Sequence, residues 1–291
     1  TEQLSPLSSR PTYTETENDL TVKANKRTFI FSKKDGQLKG VSVDNRKISF
    51  ANGPRFIGAR RADRSLDQFY NHDDEKAKEK DRTYSEFPDA AVFTKLDVKQ
   101  DGGDLVVTAN YKLGNLDKAQ WTINPSGDLA LDYTYNFSGV VDLMGIRFDY
   151  PEDQVISKRW LGAGPYRVWQ NRIHGTQYDV WENDYNDPIP GETFTYPEFK
   201  GYFGDVSWMN IQTKEGTISL TNETPDAYIG VYQPRDGRDR LLYTLPESGI
   251  SVLNVIPPVR NKVNSTDLCG PSSQPKWVNG PQTGRVIFRF M

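Results

Sequence analysis

Two stretches of this chain gather residues able to do chemistry. The first, QNRIHGTQY (170–178), sets Asn171, Arg172, His174 and Tyr178 within nine residues. Such a set can hydrogen-bond hydroxyls, or neutralise a carboxylate while a base removes a proton. Asn171 and Arg172 can equally pin a loop by bonding carbonyls or carboxylates. The second, CGPSSQPKWVNG (269–280), places Trp277 among the loop formers Gly270, Pro271, Ser272, Ser273 and Gly280. A Trp in such a setting has less reason to be core than Trp121 or Trp208, which sit in alternating segments. Trp160, Gly162, Gly164 and Pro165 in WLGAGPYRVW suit a tight turn, a corner between sheets or a close backbone approach to a ligand. In WENDYND (181–187), Glu182, Asp184 and Asp187 offer oxygens for Ca²⁺, but their spacing is not that of an EF-hand loop. A solvated loop is the reading there, and no metal is expected.

Other chemistries find no footing. The single cysteine, Cys269, rules out an intrachain disulfide and a cysteine-based zinc site. A Ser-His-Asp site would have to use His72 or His174, and neither lies beside G-x-S-x-G. P-loop and dinucleotide fingerprints are missing, so no cofactor is expected. Glycoside hydrolysis needs two carboxylates at a set separation, and among 39 acidic residues the sequence selects no pair. Catalytic residues are therefore not assigned.

The elements that must position these residues read as strands. FTKLDVKQDGGDLVVTANYKL (93–113) is two alternating runs around a DGG turn. KAQWTINPSGDLALDYTYNFS (118–138) repeats the device around NPSGD. Earlier, LTVKANKRTFIFS (20–32) leads through KKDGQ to LKGVSVD (38–44). Further candidates lie at 143–150, 207–212, 216–221, 228–232, 250–255 and 285–290. Many short strands joined by Gly, Asn, Asp and Pro turns predict an all-β sandwich or barrel. The only helical signal is RSLDQFYNHDDEKAKEK (64–80), whose charge run reads as a solvated face. Residues 1–18 read as a tether and 19–291 as one domain.

Composition sets the outer bounds. The 291 residues are 36% hydrophobic with a net charge of −3, so no basic field draws nucleic acid or anionic lipid. No apolar run approaches the roughly 20 residues of a membrane span. The opening TEQLSPLSSRP is polar, as expected where the chain is one part of a longer polypeptide. The 12% of aromatic residues suits a β core and also suits a sugar binder.

Four stretches resemble the terminal domain of family 2 β-galactosidases. TFIFSKKDGQLKGVSVDNRKISFANGPRF (28–56) is similar to that domain's opening hairpin, with Asp35-Gly36 at the turn. LMGIRFDYPEDQVISKRWLGAGPYRVWQNR (143–172) resembles a run in which a G-x-R-F strand leads to an aromatic, a G-x-G-P turn and a later Arg. Those positions are Gly145, Arg147, Phe148, Trp160, Gly162, Gly164, Pro165 and Arg172. YPEFKGYFGDVSWMNIQTKEGTISL (196–220) and the Trp277 stretch complete the match.

The resemblance implies a supersandwich: two large antiparallel sheets packed face to face, as in galactose mutarotases. It implies that the catalytic carboxylates belong to a barrel domain elsewhere in the full-length chain. This chain would wall that active site, and Trp277 would stack on carbohydrate substrate. Arg172, Asn171 and His174 are the other candidate substrate-binding residues. Two departures stand out. FIGARRADRS (56–65) is basic where the family has an acidic loop, and Arg167 stands at the family's Glu, so the resemblance does not by itself imply galactose specificity. Two further readings stay open: a stand-alone epimerase or polysaccharide lyase using the 170–178 cluster, and a pure carbohydrate-binding module.

Overall fold

A computed structural model describes residues 9–61, 84–184, 201–231, 246–258 and 270–291. Their strands form two antiparallel sheets, the architecture that the resemblance implied. One sheet runs β1 (Thr12–Glu15), β2 (Asp19–Ala24), β3 (Arg27–Ser32), β4 (Leu38–Val43), β6 (Ala51–Arg61), β12 (Leu143–Asp149), β18 (Ile250–Val255) and β17 (Tyr228–Val231). Beside that path, β5 (Arg46–Ile48) pairs with β4 and β7 (Tyr84–Glu86) with β6, making ten strands. The other sheet has nine strands: β14 (Gln177–Asp184), β13 (Val155–Gly164), β15 (Trp208–Thr213), β16 (Gly216–Asn222), β19 (Lys276–Phe290), β11 (Leu129–Val141), β10 (Leu116–Ile123), β9 (Asp104–Lys112) and β8 (Val92–Asp101).

Alternation explains which faces meet. In β9 the buried residues are Leu105, Val107 and Ala109, and in β10, past a bulge that follows buried Leu116, they are Ala119, Trp121 and Ile123, each set spaced by two. Their counterparts are Phe29, Phe31, Phe56 and Phe148 of the ten-stranded sheet and Phe50 in the β5–β6 connection. Aromatic pairs bridge the sheets: Phe31 and Phe148 meet Trp121 at 5.9 and 6.0 Å, Phe50 meets Phe288 at 5.0 Å, and Phe56 meets Tyr135 at 5.5 Å. Tilted and edge contacts of this kind add to the burial itself.

Several expectations change in detail. Within the expected tether, Thr12–Glu15 pairs with β2 as an edge strand. All four of its side chains are exposed, so backbone bonding holds it and no apolar period announces it. The turn or corner expected around Trp160–Gly164 is instead the end of strand β13. Its glycines answer close approaches of the protein's own chain. A Cβ on Gly162 would meet the Asp205 and Gly204 carbonyls at 3.0 Å, and one on Gly164 the Trp181 indole at 2.4 Å. Trp181, Glu182 and Asp184 belong to β14 rather than to a loop. Asp187 lies outside the described residues, as do Cys269, His72 and the helical candidate 64–80. Among the described residues, no helix is long and apolar enough to cross a membrane.

A polar bracket joins the two sheets at one end of their strands. Glu215, in the β15–β16 turn, accepts hydrogen bonds from the Ser49 amide (2.9 Å), the Ser49 hydroxyl (2.6 Å) and the Tyr150 phenol (3.1 Å). Burial above all raises the Tyr150 phenol, so it stays protonated and donates. Glu215→Ala strands these part-buried donors. It is expected to lower stability by about 1–3 kcal/mol, read as an earlier urea midpoint at unchanged slope.

Candidate functional site

Trp277 and, through the turn before it, the segment holding Asn171, Arg172 and His174 lie near the end of the sandwich where β11 passes into β12 through Asp142. There β19 runs antiparallel to β11, with Trp277 opposite Val140 and Lys276 opposite Val141. The final strand thus begins at Lys276, not at 285 as its apolar pattern suggested. The added segment K-W-V-N-G-P-Q-T-G has little β propensity of its own. Long β11 offers it a continuous ladder of partners, and pairing overrides the turn formers. Trp277 is therefore on a strand, not in a loop. Alternation turns its neighbour Val278 toward the core and the indole outward, where it is 71% exposed.

A short 3₁₀ turn, Pro271–Ser273, leads into this strand. The side-chain amide of Gln170 clamps it, donating to the Ser272 carbonyl at 2.8 Å and the Gln274 carbonyl at 2.7 Å. The Gln170 backbone amide also donates to the Pro257 carbonyl at 3.0 Å. Gln170 thereby ties the segment holding Asn171, Arg172 and His174 to the turn that launches Trp277. Sequence reasoning missed it, because a glutamine beside Asn and Arg carries no distinctive signal.

The 165–176 segment is seated by a second apolar cluster. Val168, Trp169 and Tyr202 pack with Ile57, Ala59 and Leu143 on the outward face of the ten-stranded sheet. Trp169 and Tyr202 meet edge-on at 5.6 Å. Past Trp169 the chain turns, with the Arg172 amide donating to the Trp169 carbonyl at 2.8 Å. Asn171 is half-buried, while Arg172 and His174 are exposed. The Tyr166 hydroxyl donates to the His174 carbonyl at 3.1 Å and steadies the next turn. Tyr178 stands apart on β14, paired with Ala163, its hydroxyl 2.6 Å from that of Ser207. The structure thus brings the Asn171–His174 segment to the Trp277 turn and places Tyr178 on a separate strand. Arg167 is buried, its guanidinium 5.8 Å from the centre of the Phe203 ring, so it is a packing element rather than a surface contact.

Among the described residues, no group of three or more His, Cys, Asp and Glu side chains is arranged to hold a metal ion. What the end of the sandwich offers is an exposed indole on β19 and a polar segment tied through Gln170 to the turn that precedes that strand. Such an arrangement can bind a ligand having both apolar and hydroxylated faces.

The family model described as β-galactosidase small chain matches residues 23–260. No curated protein matches the chain. Among solved structures, it is similar to a galactose 1-epimerase from Lactobacillus acidophilus, at 10% identity over 98% of this chain and 99% of that one, with a TM-score of 0.48. It is similar to an aldose epimerase homologue from C. elegans at 8% identity over 94% and 98%, with a TM-score of 0.39. A copper-containing benzylamine oxidase from Hansenula polymorpha is similar at 7% identity over 100% of this chain and 63% of that one, with a TM-score of 0.38.

Proposed function

Because this chain belongs to the β-galactosidase small-chain family, and so has a carbohydrate-related role, we propose that it is the accessory domain of a glycoside hydrolase. In this reading residues 19–291 act as one unit, supported by a core cluster that takes in Leu20 and Phe290 alike. A barrel elsewhere in the full-length protein supplies the two carboxylates and hydrolyses a β-glycosidic bond with retention. This domain walls the active site, and Trp277 is its platform for the sugar ring, with Asn171, Arg172 and His174 as neighbouring polar contacts.

The observation behind the reading is the exposed Trp277 indole on a strand held by β11 and by the Gln170 clamp. A ring that large, left outward on a rigid support, contributes little to this fold and is available to a ligand. Sugar C–H faces bury well against such a ring.

The test has two arms. Assayed by itself on aryl β-glycosides, the chain should show no turnover comparable to a complete enzyme; full turnover would sink the reading. In the enzyme with its barrel, Trp277→Ala should lower kcat/KM by about 5–150-fold, equivalent to about 1–3 kcal/mol, while the melting temperature holds. Wild-type kinetics combined with lost thermal stability would assign Trp277 to packing instead.

A further inference from the structure

The outward face of the ten-stranded sheet carries a second constellation, away from Trp277. Side chains alternate along β12, so Leu143, Gly145, Arg147 and Asp149 share one face while Met144, Ile146 and Phe148 enter the main core. Leu143 lies under the Trp169 cluster, near the Trp277 end. Arg147 and Asp149, at the far end of a strand about 20 Å long, open instead into a groove of about 730 Å³.

Three features of that groove go beyond a solvated surface. Arg147 is directly opposite Arg55 of β6, and like charges in register oppose pairing, so the fold gains nothing from this placement by itself. The ladder then breaks: between Arg147 and Asp149, two steps of β12 span four of β6, from Arg55 to Ala51. Pro54 lies in the irregular stretch and has no N–H to give the ladder. Such irregularities re-aim side chains. Asn52, in the left-handed region at φ 54°, donates its amide to Asp149 at 2.9 Å, while Arg55 pairs with the other oxygen of the same carboxylate. Arg147 in turn donates to the Glu247 carbonyl and is 3.5 Å from Glu86. Donors and acceptors are thus held in place before any ligand arrives.

The lining selects the ligand class. The volume falls within the roughly 300–1,000 Å³ of small-molecule sites, but apolar ligands need apolar walls and these walls are charged. Four basic and three acidic side chains line the groove, and two carboxylates outside the lining, Glu86 beside Arg147 and Asp19 beside Lys39, pair with its cations. The signs are interspersed and three of the four cations are already paired with carboxylates, so the groove does not invite an anion. Closely spaced, pre-oriented donors and acceptors match vicinal hydroxyls, each of which both donates and accepts.

We propose that this groove is a second carbohydrate subsite, for a neutral oligosaccharide, with Arg55, Arg147, Asp149 and Asn52 as its hydrogen-bonding floor. The ligand class rests on the carbohydrate role proposed above; the location rests on the groove.

Saturation-transfer NMR on the 291-residue chain tests it, with lactose and cellobiose as neutral probes and galacturonic acid as the charged one. At least one neutral disaccharide should bind saturably. Arg147→Met and the shape-preserving Asp149→Asn should each raise its apparent Kd by about tenfold or more, the scale of one charge-assisted hydrogen bond. Trp277→Ala should leave it within about twofold, because the two places are separated by the length of β12. No saturable neutral binding, an unchanged Kd in folded Asp149→Asn, or tighter binding of galacturonic acid would each overturn the proposal. Should Arg147→Met fail to fold, Asp149→Asn and Lys47→Ala on the exposed rim decide the matter. The Trp277 reading is measured separately, by kinetics with the barrel present, so either can fail without the other.

Discussion

Replacing Trp121 with alanine is expected to cost about 3–5 kcal/mol of folding stability, the range for deleting a fully buried large aromatic. Trp121 is 0% exposed and lies at the middle of the sandwich. In its own sheet it pairs with Leu131 of β11 and Val107 of β9, both buried. Across the interior it meets Phe31 and Phe148 of the opposite sheet. Truncation therefore removes transfer energy and leaves a hole between two sheets that other contacts hold in place. The indole N–H has no hydrogen-bond partner among the described residues, so none is broken by the change. That sharpens the prediction: Trp121→Phe, which keeps much of the ring and removes the orphan donor, should cost well under half as much. Urea unfolding of both variants checks this; an Ala variant within about 1 kcal/mol of wild type would contradict the packing described.

The second large effect concerns backbone approach. A Cβ on Gly145 would meet the Val252 carbonyl oxygen at 2.2 Å and the Leu253 Cα at 2.7 Å, both main-chain atoms of neighbouring β18. Neither can swing aside as a side-chain end would, so β12 and β18 must separate within the ten-stranded sheet. Gly145→Ala is expected to cost about 3 kcal/mol, the upper end for overpacking. Gly40 of β4 supplies the control: a Cβ there meets nothing within 4 Å. Gly40→Ala should be neutral or stabilise by up to about 1 kcal/mol, because it narrows the unfolded ensemble at no native cost. Equal effects at the two sites would contradict the close approach of β18 to Gly145, because chain entropy favours the alanine at both positions.

The same contrast shows what was legible in advance. The hairpins at 93–113 and 118–138 were readable because each is local. Alternation of Leu105, Val107 and Ala109, or of Ala119, Trp121 and Ile123, is written in adjacent residues. The DGG and NPSGD turns place Gly102 and Gly127 at φ 60° and 80°, conformations that favour glycine. The glycines of β13 were visible too, but their partners at Gly204, Asp205 and Trp181 were not. They read as a turn because nothing nearby in the chain shows what approaches them.

By itself, then, the sequence determined an all-β chain, the positions of its strongest strands and turns, and Trp277 as a Trp with little cause to be core. Period-two alternation and turn chemistry act over a few residues, so they survive in a linear reading. Tertiary structure alone decided that β19 starts at Lys276, that Gln170 clamps the Trp277 turn, and that Arg147 faces Arg55. Each of these is a pairing between distant segments, and Arg55 and Arg147 are 92 positions apart. Which strands become neighbours, and in what register, follows from how the two sheets fill one core together, and no local window contains that information.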